Sequence, residues 1–167
     1  MSRLSLVSSK EIPQEAGRAA VDVRMLEADD AAVLANVADD VFDAAVDASL
    51  VDEFLRDPRH HLAVAIDRQQ VVGFASGVHY VHPDKRPQMF INEVGVAPSH
   101  QGRGIGKALV EKILERARRL GCEEAWVLTE RDNHAAMRLY GSTGGEPSPK
   151  DAVMFTFFLD RDDRRPR

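Results

Sequence analysis

Cysteine is nearly absent. Cys122 is the only one in 167 residues, which excludes an internal disulfide and a cage of thiolate metal ligands. Aromatic residues are sparse at 6%. The longest apolar stretches, such as Val153 to Leu159, fall far short of the roughly 20 residues a membrane-spanning helix needs. Positive charge is in deficit, with a net charge of −5, whereas nucleic-acid binders display a basic face for phosphate. The first residues, M-S-R-L-S-L-V-S-S-K, lack the sustained apolar core of a secretory signal, so the expected location is cytoplasmic. What is present is 44% hydrophobic and 29% charged residues, a balance that fits one domain with one buried core.

The negative charge is concentrated. Between Glu27 and Asp57 stand ten acids and one base, Arg56, for a local charge of −9. Two readings are open: a solvated helical face, or a field that attracts a polycation and raises its local concentration.

Residues 1–20 show no period and are expected to be a loose leader, with a domain over 21–160 and a charged tail over 161–167. V-D-V-R-M-L (Val21 to Leu26) alternates like a half-buried strand, and Asp29 or Asp30 is placed to cap a helix through Ala38. A second helix is expected within Leu50 to Arg56, stopped by Pro58. Leu62 to Ile66 and Val71 to Val81 read as an antiparallel hairpin around D-R-Q-Q, and Met89 to Val96 as the next strand. From Arg103 to Leu120 apolar residues recur at three and four until Gly121 stops the run, the clearest helix in the chain. Ala125 to Thr129 reads as a strand, Asn133 to Tyr140 as a short helix, and Val153 to Leu159 as a final strand. Phe155, Phe157 and Phe158 are expected in the sheet core. The order implies an α/β (α+β) domain: a central mixed, mostly antiparallel sheet flanked by helices.

The segment N-E-V-G-V-A-P-S-H-Q-G-R-G-I-G-K-A-L-V runs from a strand through a turn into alternating glycines and then the long helix. Gly102, Gly104 and Gly106 let the backbone approach a ligand, and the free amides of the first helical turn favour an anion such as phosphate or pyrophosphate. A P-loop would need glycine in place of Gln101 and Ser or Thr in place of Ala108; a dinucleotide fingerprint would need glycine in place of Lys107. Both fail.

The segment resembles the acetyl-CoA loop Q-x-x-G-x-G of the Gcn5-related N-acetyltransferase superfamily, matched by Gln101, Gly104 and Gly106. E-V-G-V-A-P before it and N-H-A-A-M-R-L-Y after it match that superfamily's strand, turn and late helix. The resemblance implies a single acetyltransferase domain using acetyl-CoA as co-substrate. It implies that Val94, Val96, Gln101, Gly102, Arg103, Gly104, Ile105, Gly106, Lys107 and Asn133 bind the CoA arm, with an amide near Val94 polarising the thioester carbonyl. An amine must lose its proton before attacking a thioester, and Glu93 on the preceding strand is the candidate base or amine-binding group. Tyr140 resembles the general acid that protonates the departing thiolate. Asn133 would serve equally as an ordinary helix cap.

Within the superfamily the chain is most similar to the aminoglycoside 3-N-acetyltransferases, through D-D-V-F-D, the hairpin followed by I-N-E-V-G-V-A, and the short length. That likeness implies a polycationic amine acceptor, modified at its 3-amino group, with Asp39, Asp40, Asp43 and Glu93 at its binding site. It also implies antibiotic resistance as a role and a possible homodimer. Acceptors of another class, a polyamine, a lysine side chain or a protein N-terminus, would use the same loop, Glu93 and Tyr140. No metal is expected: His79 and His82 are three apart on a strand, His60 and His61 are adjacent, and both spacings direct the rings apart. Cys122 lacks a base partner and is not read as a nucleophile.

Overall fold

The computed structural model describes residues 20–148, 153–157 and 159. The leader up to residue 19, the tail over 161–167 and Phe158 lie outside the described residues. Five strands form one sheet in sequence order: β1 (Asp22–Met25), β2 (His60–Asp67), β3 (Gln70–Tyr80), β4 (Gln88–Val96) and β5 (Glu124–Val127). The first three pairings are antiparallel and β4 to β5 is parallel. The helices are α1 (Ala48–Arg56), α2 (Ile105–Arg119) and α3 (His134–Ser142). This is the mixed, mostly antiparallel sheet with flanking helices that the sequence predicts.

Helix α2 forms because its apolar residues line one face. Leu109, Val110, Ile113 and Ala117 are all at most 4% exposed, against a sheet face that includes Met89 and Ala63. Burying side chains such as Leu109 and Ile113 contributes roughly 1.5–3 kcal/mol each. Gly73 and Gly77 let α2 sit close: a methyl at Gly73 would lie 3.3 Å from Leu109, and one at Gly77 3.5 Å from Ile113. Arg68 and Gln69, the middle of D-R-Q-Q, both take left-handed conformations (φ 50° and 67°), which close the β2–β3 hairpin in two residues.

Two expectations need correction. The first predicted helix is a 3-10 helix over Ala28–Ala35, with Glu27 rather than Asp29 or Asp30 at its N-cap. The Asp30 carboxylate accepts from the Glu27 backbone N–H at 2.9 Å and binds Arg24 at 3.0 Å. The element ends before Ala38 because Val37 turns into a bridge with Val71. The predicted final strand is also not found: 153–157 carries no regular structure, and Phe155 and Phe157 are 78% and 82% exposed rather than in the core. Its composition suits a strand, but a strand needs a partner ladder, and among the described residues β5 pairs only with β4.

Candidate active site

A β-bulge in β4 orients the candidate base. The Cα partners run Ser76 with Glu93 and then Gly77 with Ile91, so Asn92 is an extra residue opposite nothing. Side chains alternate along a strand, and Met89 and Ile91 are buried on the α2 face. Without Asn92, Glu93 would join them. The extra residue turns Glu93 onto the opposite face, together with Gly95 two residues on. Gly95 is pressed by the segment that follows the 3-10 helix: a methyl there would lie 2.5 Å from the Val41 carbonyl oxygen and 2.7 Å from the Phe74 ring. Phe42 stacks on Phe74 with ring centroids 4.0 Å apart, which fixes that segment across β4.

The same segment lines a cleft of about 610 Å³ with Asp39, Asp40, Phe42 and Asp43. Glu93 is open to solvent as a residue, yet its carboxylate is partly desolvated and sits in the field of Asp43. Both effects raise its pKa, desolvation first. The acidic stretch therefore divides into two groups. Asp30 binds Arg24, Asp47 caps α1 by accepting from the Ser49 and Leu50 amides, Asp52 pairs with Arg56, and Asp57 pairs with Arg59. Asp39, Asp40 and Asp43 instead face the cleft. The first group is the solvated, locally paired face of the first reading, and the three cleft acids are the ones on which the second reading rests.

Beyond β4, a 3-10 turn (Pro98–His100) leads into the glycine loop. Gly102 and Gly104 have φ of 72° and 79°, and no atom lies within 4 Å of where a methyl would project. Any other residue would be strained there and would fill the cradle. Gly104 is the N-cap of α2 and offers no side-chain cap, so the amides of the first turn are left to a ligand. Gln101 Nε2 donates to the Val96 carbonyl at 3.0 Å, tying the loop to β4. A methyl at Gly106 would lie 3.6 Å from Leu139, so the glycine lets α3 come close against α2. These features fit the phosphate-bearing arm of CoA. Lys107 lies 3.8 Å from Glu111, and Ile105 is buried under the loop.

Tyr140 packs on the core, and burial raises its pKa, so the phenol stays protonated at neutral pH. Asn133 caps α3, its side-chain oxygen accepting from the Ala136 amide at 3.0 Å. Cys122 is half-buried with its pKa raised by burial, the opposite of an activated thiol. Among the described residues no group of His, Cys, Asp and Glu has the arrangement of a metal site, and no helix is long and apolar enough to cross a membrane.

Two polar clusters escape sequence reading. His61 Nε2 and His79 Nδ1 lie 2.8 Å apart, with Arg116 Nε donating to His61 Nδ1 at 3.4 Å. Asp67 Oδ2 and His100 Nε2 lie 3.0 Å apart beside the glycine loop. Both join residues tens of positions apart, and no local motif announces either.

The profile of the Acetyltransferase (GNAT) family matches residues 27–144. The chain is 33% identical over 86 residues to a mycothiol acetyltransferase of Saccharopolyspora erythraea, covering 50% of this chain and 26% of that protein. It is 32% identical over 90 residues to the N-alpha-acetyltransferase RimI of Mycobacterium tuberculosis, covering 54% of each. The chain thus spans from about a quarter to about half the length of these curated relatives. Among solved structures, an aminoglycoside acetyltransferase from a soil metagenomic sample, in complex with sisomicin, aligns with a TM-score of 0.68 at 20% identity over 84% of this chain and 97% of that one. An aminoglycoside N-acetyltransferase AAC(6′)-Iy in complex with CoA aligns with a TM-score of 0.68 at 20% identity over 84% and 95%. At that identity the likeness is one of fold. A bulged strand carrying an acid, a glycine cradle opening a helix and a matching profile over most of the domain agree, and the chain belongs to the acetyltransferase (GNAT) family.

Proposed function

We propose that this chain transfers acetyl from acetyl-CoA to a primary amine of a polycationic aminoglycoside, at the 3-amino group, by direct attack of the amine on the thioester. The observation that carries the reading is the position of Glu93, which the Asn92 bulge turns onto the sheet face opposite α2, within the field of Asp43, one of the acids that line the cleft, on the strand that leads into the glycine loop.

Acetyl-CoA supplies an activated acyl group; the remaining work falls to this chain's side chains. The ammonium form of the acceptor is attracted by Asp39, Asp40 and Asp43, which raises its local concentration and its encounter rate. Glu93, more basic than an ordinary glutamate because it is desolvated and faces Asp43, accepts the amine proton directly or through water. The ladder between β4 and β5 ends at Ile91, so the β4 edge beyond it, near Val94, is open on that side to offer an amide to the developing oxyanion. Gln101 to Lys107 hold the phosphates through loop and helix amides, with Arg103 as the loop cation. Tyr140, kept protonated by burial, donates a proton to the leaving thiolate.

A polyamine, lysine side chain or protein N-terminus as acceptor is the second reading. It is favoured by relatives named N-alpha-acetyltransferase RimI and L-2,4-diaminobutyric acid acetyltransferase. The test is product analysis after incubation with acetyl-CoA and sisomicin. A mono-acetylated product with the new amide on the 3-nitrogen by NMR is expected. Acetylation at the 6′-nitrogen keeps the acceptor class and overturns the regiochemistry, and an unmodified antibiotic overturns the acceptor.

A further inference from the structure

Side chains from two segments distant in sequence meet beside the glycine loop. Asp67 ends β2, and its Oδ2 accepts from His100 Nε2 at 3.0 Å and lies 4.0 Å from Arg103 Nη1. Ser99 Oγ is 2.9 Å from His100 Nδ1. The Asp67 carboxylate accepts from Nε2–H and the Ser99 hydroxyl is the partner of Nδ1, so both ring nitrogens are used. The cluster is sheltered, with side-chain exposures of 19% for Asp67, 16% for His100 and 26% for Arg103. The hairpin tip that presents Asp67 is itself held in an unusual shape. Arg68 and Gln69 are non-glycine residues in left-handed conformations, and the Asn36 side chain donates to the Gln69 carbonyl at 3.0 Å.

We propose that Asp67 is a positioning residue for the acetyl donor, holding the glycine loop through His100 and Arg103 in the shape that receives the CoA phosphates. The inference rests on the acetyl-CoA reading above. The loop contains Gly102 and Gly104, and glycine loses more backbone freedom on ordering than any other residue, so a loop already held binds more tightly than a loose one. Charge alone argues the other way. A carboxylate beside an anion site repels the phosphates and draws on the field of Arg103, so its removal would by electrostatics tighten CoA binding. The two roles therefore predict opposite signs.

The experiment is calorimetric titration of CoA into the wild type, Asp67→Ala, Asp67→Asn, His100→Ala and the Asp67→Ala/His100→Ala double variant, each first shown folded by circular dichroism. Asp67→Ala is expected to weaken CoA binding about tenfold, the order expected when a charge-assisted hydrogen bond that orders the loop is lost. Asp67→Asn keeps an acceptor for His100 Nε2–H and should recover most of the loss. His100→Ala keeps the carboxylate and should still weaken binding, and the double variant should be no weaker than the worse single one, because one linkage is broken twice. Unchanged or tighter binding by Asp67→Ala, or additive losses in the double variant, overturns the positioning role. If Asp67→Ala does not fold, His100→Ala decides alone: unchanged binding overturns the proposal. A wild type that binds no CoA overturns the donor reading and this inference together, whereas wild-type binding with no loss in the variants overturns this inference alone.

Discussion

His61 makes the stability of the fold sensitive to mild acid. It is 3% exposed, and its environment is hostile to a second proton. Arg116 Nε can only donate, so His61 Nδ1 is the acceptor and the ring proton sits on Nε2, directed at His79 Nδ1. Protonation would set a new N–H against the guanidinium. Burial first, then the charges of Arg116, His79 and His60, hold the folded pKa at about 4 against an ordinary 6.5; only Asp57 pulls upward. Because the folded pKa is the lower, the unfolded chain takes up the proton first, and stability falls as pH drops from 6.5 toward 4 and levels off below. At roughly 1.36 kcal/mol per pH step, the loss is about 2 kcal/mol by pH 5 and about 3 kcal/mol by pH 4. Asp30 and Asp57, whose pKa values are lowered by their arginine partners, lose their contribution only at more acid pH. Glu93 is raised and acts in the opposite sense, but equally in the wild type and in a His61→Gln variant. Urea unfolding of both proteins at pH 7, 6 and 5 isolates the term: the wild type should lose about 2 kcal/mol more than the variant. Parallel pH curves would show that His61 does not govern the acid sensitivity.

Four further perturbations address the site and the strand that carries it. Replacing Glu93 by Gln should lower kcat by about 10²-fold or more while the protein still binds CoA, as expected for a lost general base; undiminished turnover removes that role. Asp43→Asn withdraws the charge that helps raise the Glu93 pKa, so the acid limb of kcat/KM should move to lower pH, and a limb that stays in place shows that Glu93 does not govern it. Tyr140→Phe should slow acetyl transfer with the Kd for CoA unchanged, whereas full activity excludes the phenol as proton donor. Gly95→Ala places a methyl 2.5 Å from the Val41 carbonyl, a backbone atom that cannot rotate away. It should cost roughly 1–3 kcal/mol in urea unfolding and raise KM for the amine, and a neutral substitution contradicts the packing of that segment on β4.

The features legible in the sequence are those set by neighbours in the chain. The period of α2, the D-R-Q-Q hairpin and the glycine loop each depend on residues within a few positions, and each lies where the sequence predicts. Asn133 was readable as a cap for the same reason, since a cap bonds an amide three residues away. Register is different. The Asn92 bulge that turns Glu93 away from the α2 face is a relation between β4 and β3, and nothing in I-N-E declares which residue will be extra. The pairs His61 with His79 and Asp67 with His100 span 18 and 33 positions, so only the folded sheet brings them together. The apolar run from Val153 shows the converse error: over 153–157 composition reports what a strand would tolerate, not whether a neighbouring ladder is there to receive it.

Acetyl transfer to a polycationic amine is the reaction proposed for this chain. Its most direct test is release of free CoA thiol from acetyl-CoA by the purified protein, compared across sisomicin, spermidine and a lysine-containing peptide, with the Glu93→Gln variant alongside. Turnover with sisomicin that depends on Glu93 and weakens as salt screens the cleft acids is expected. Turnover only with spermidine or the peptide would contradict the acceptor, and no thiol release with any amine would contradict the reaction itself.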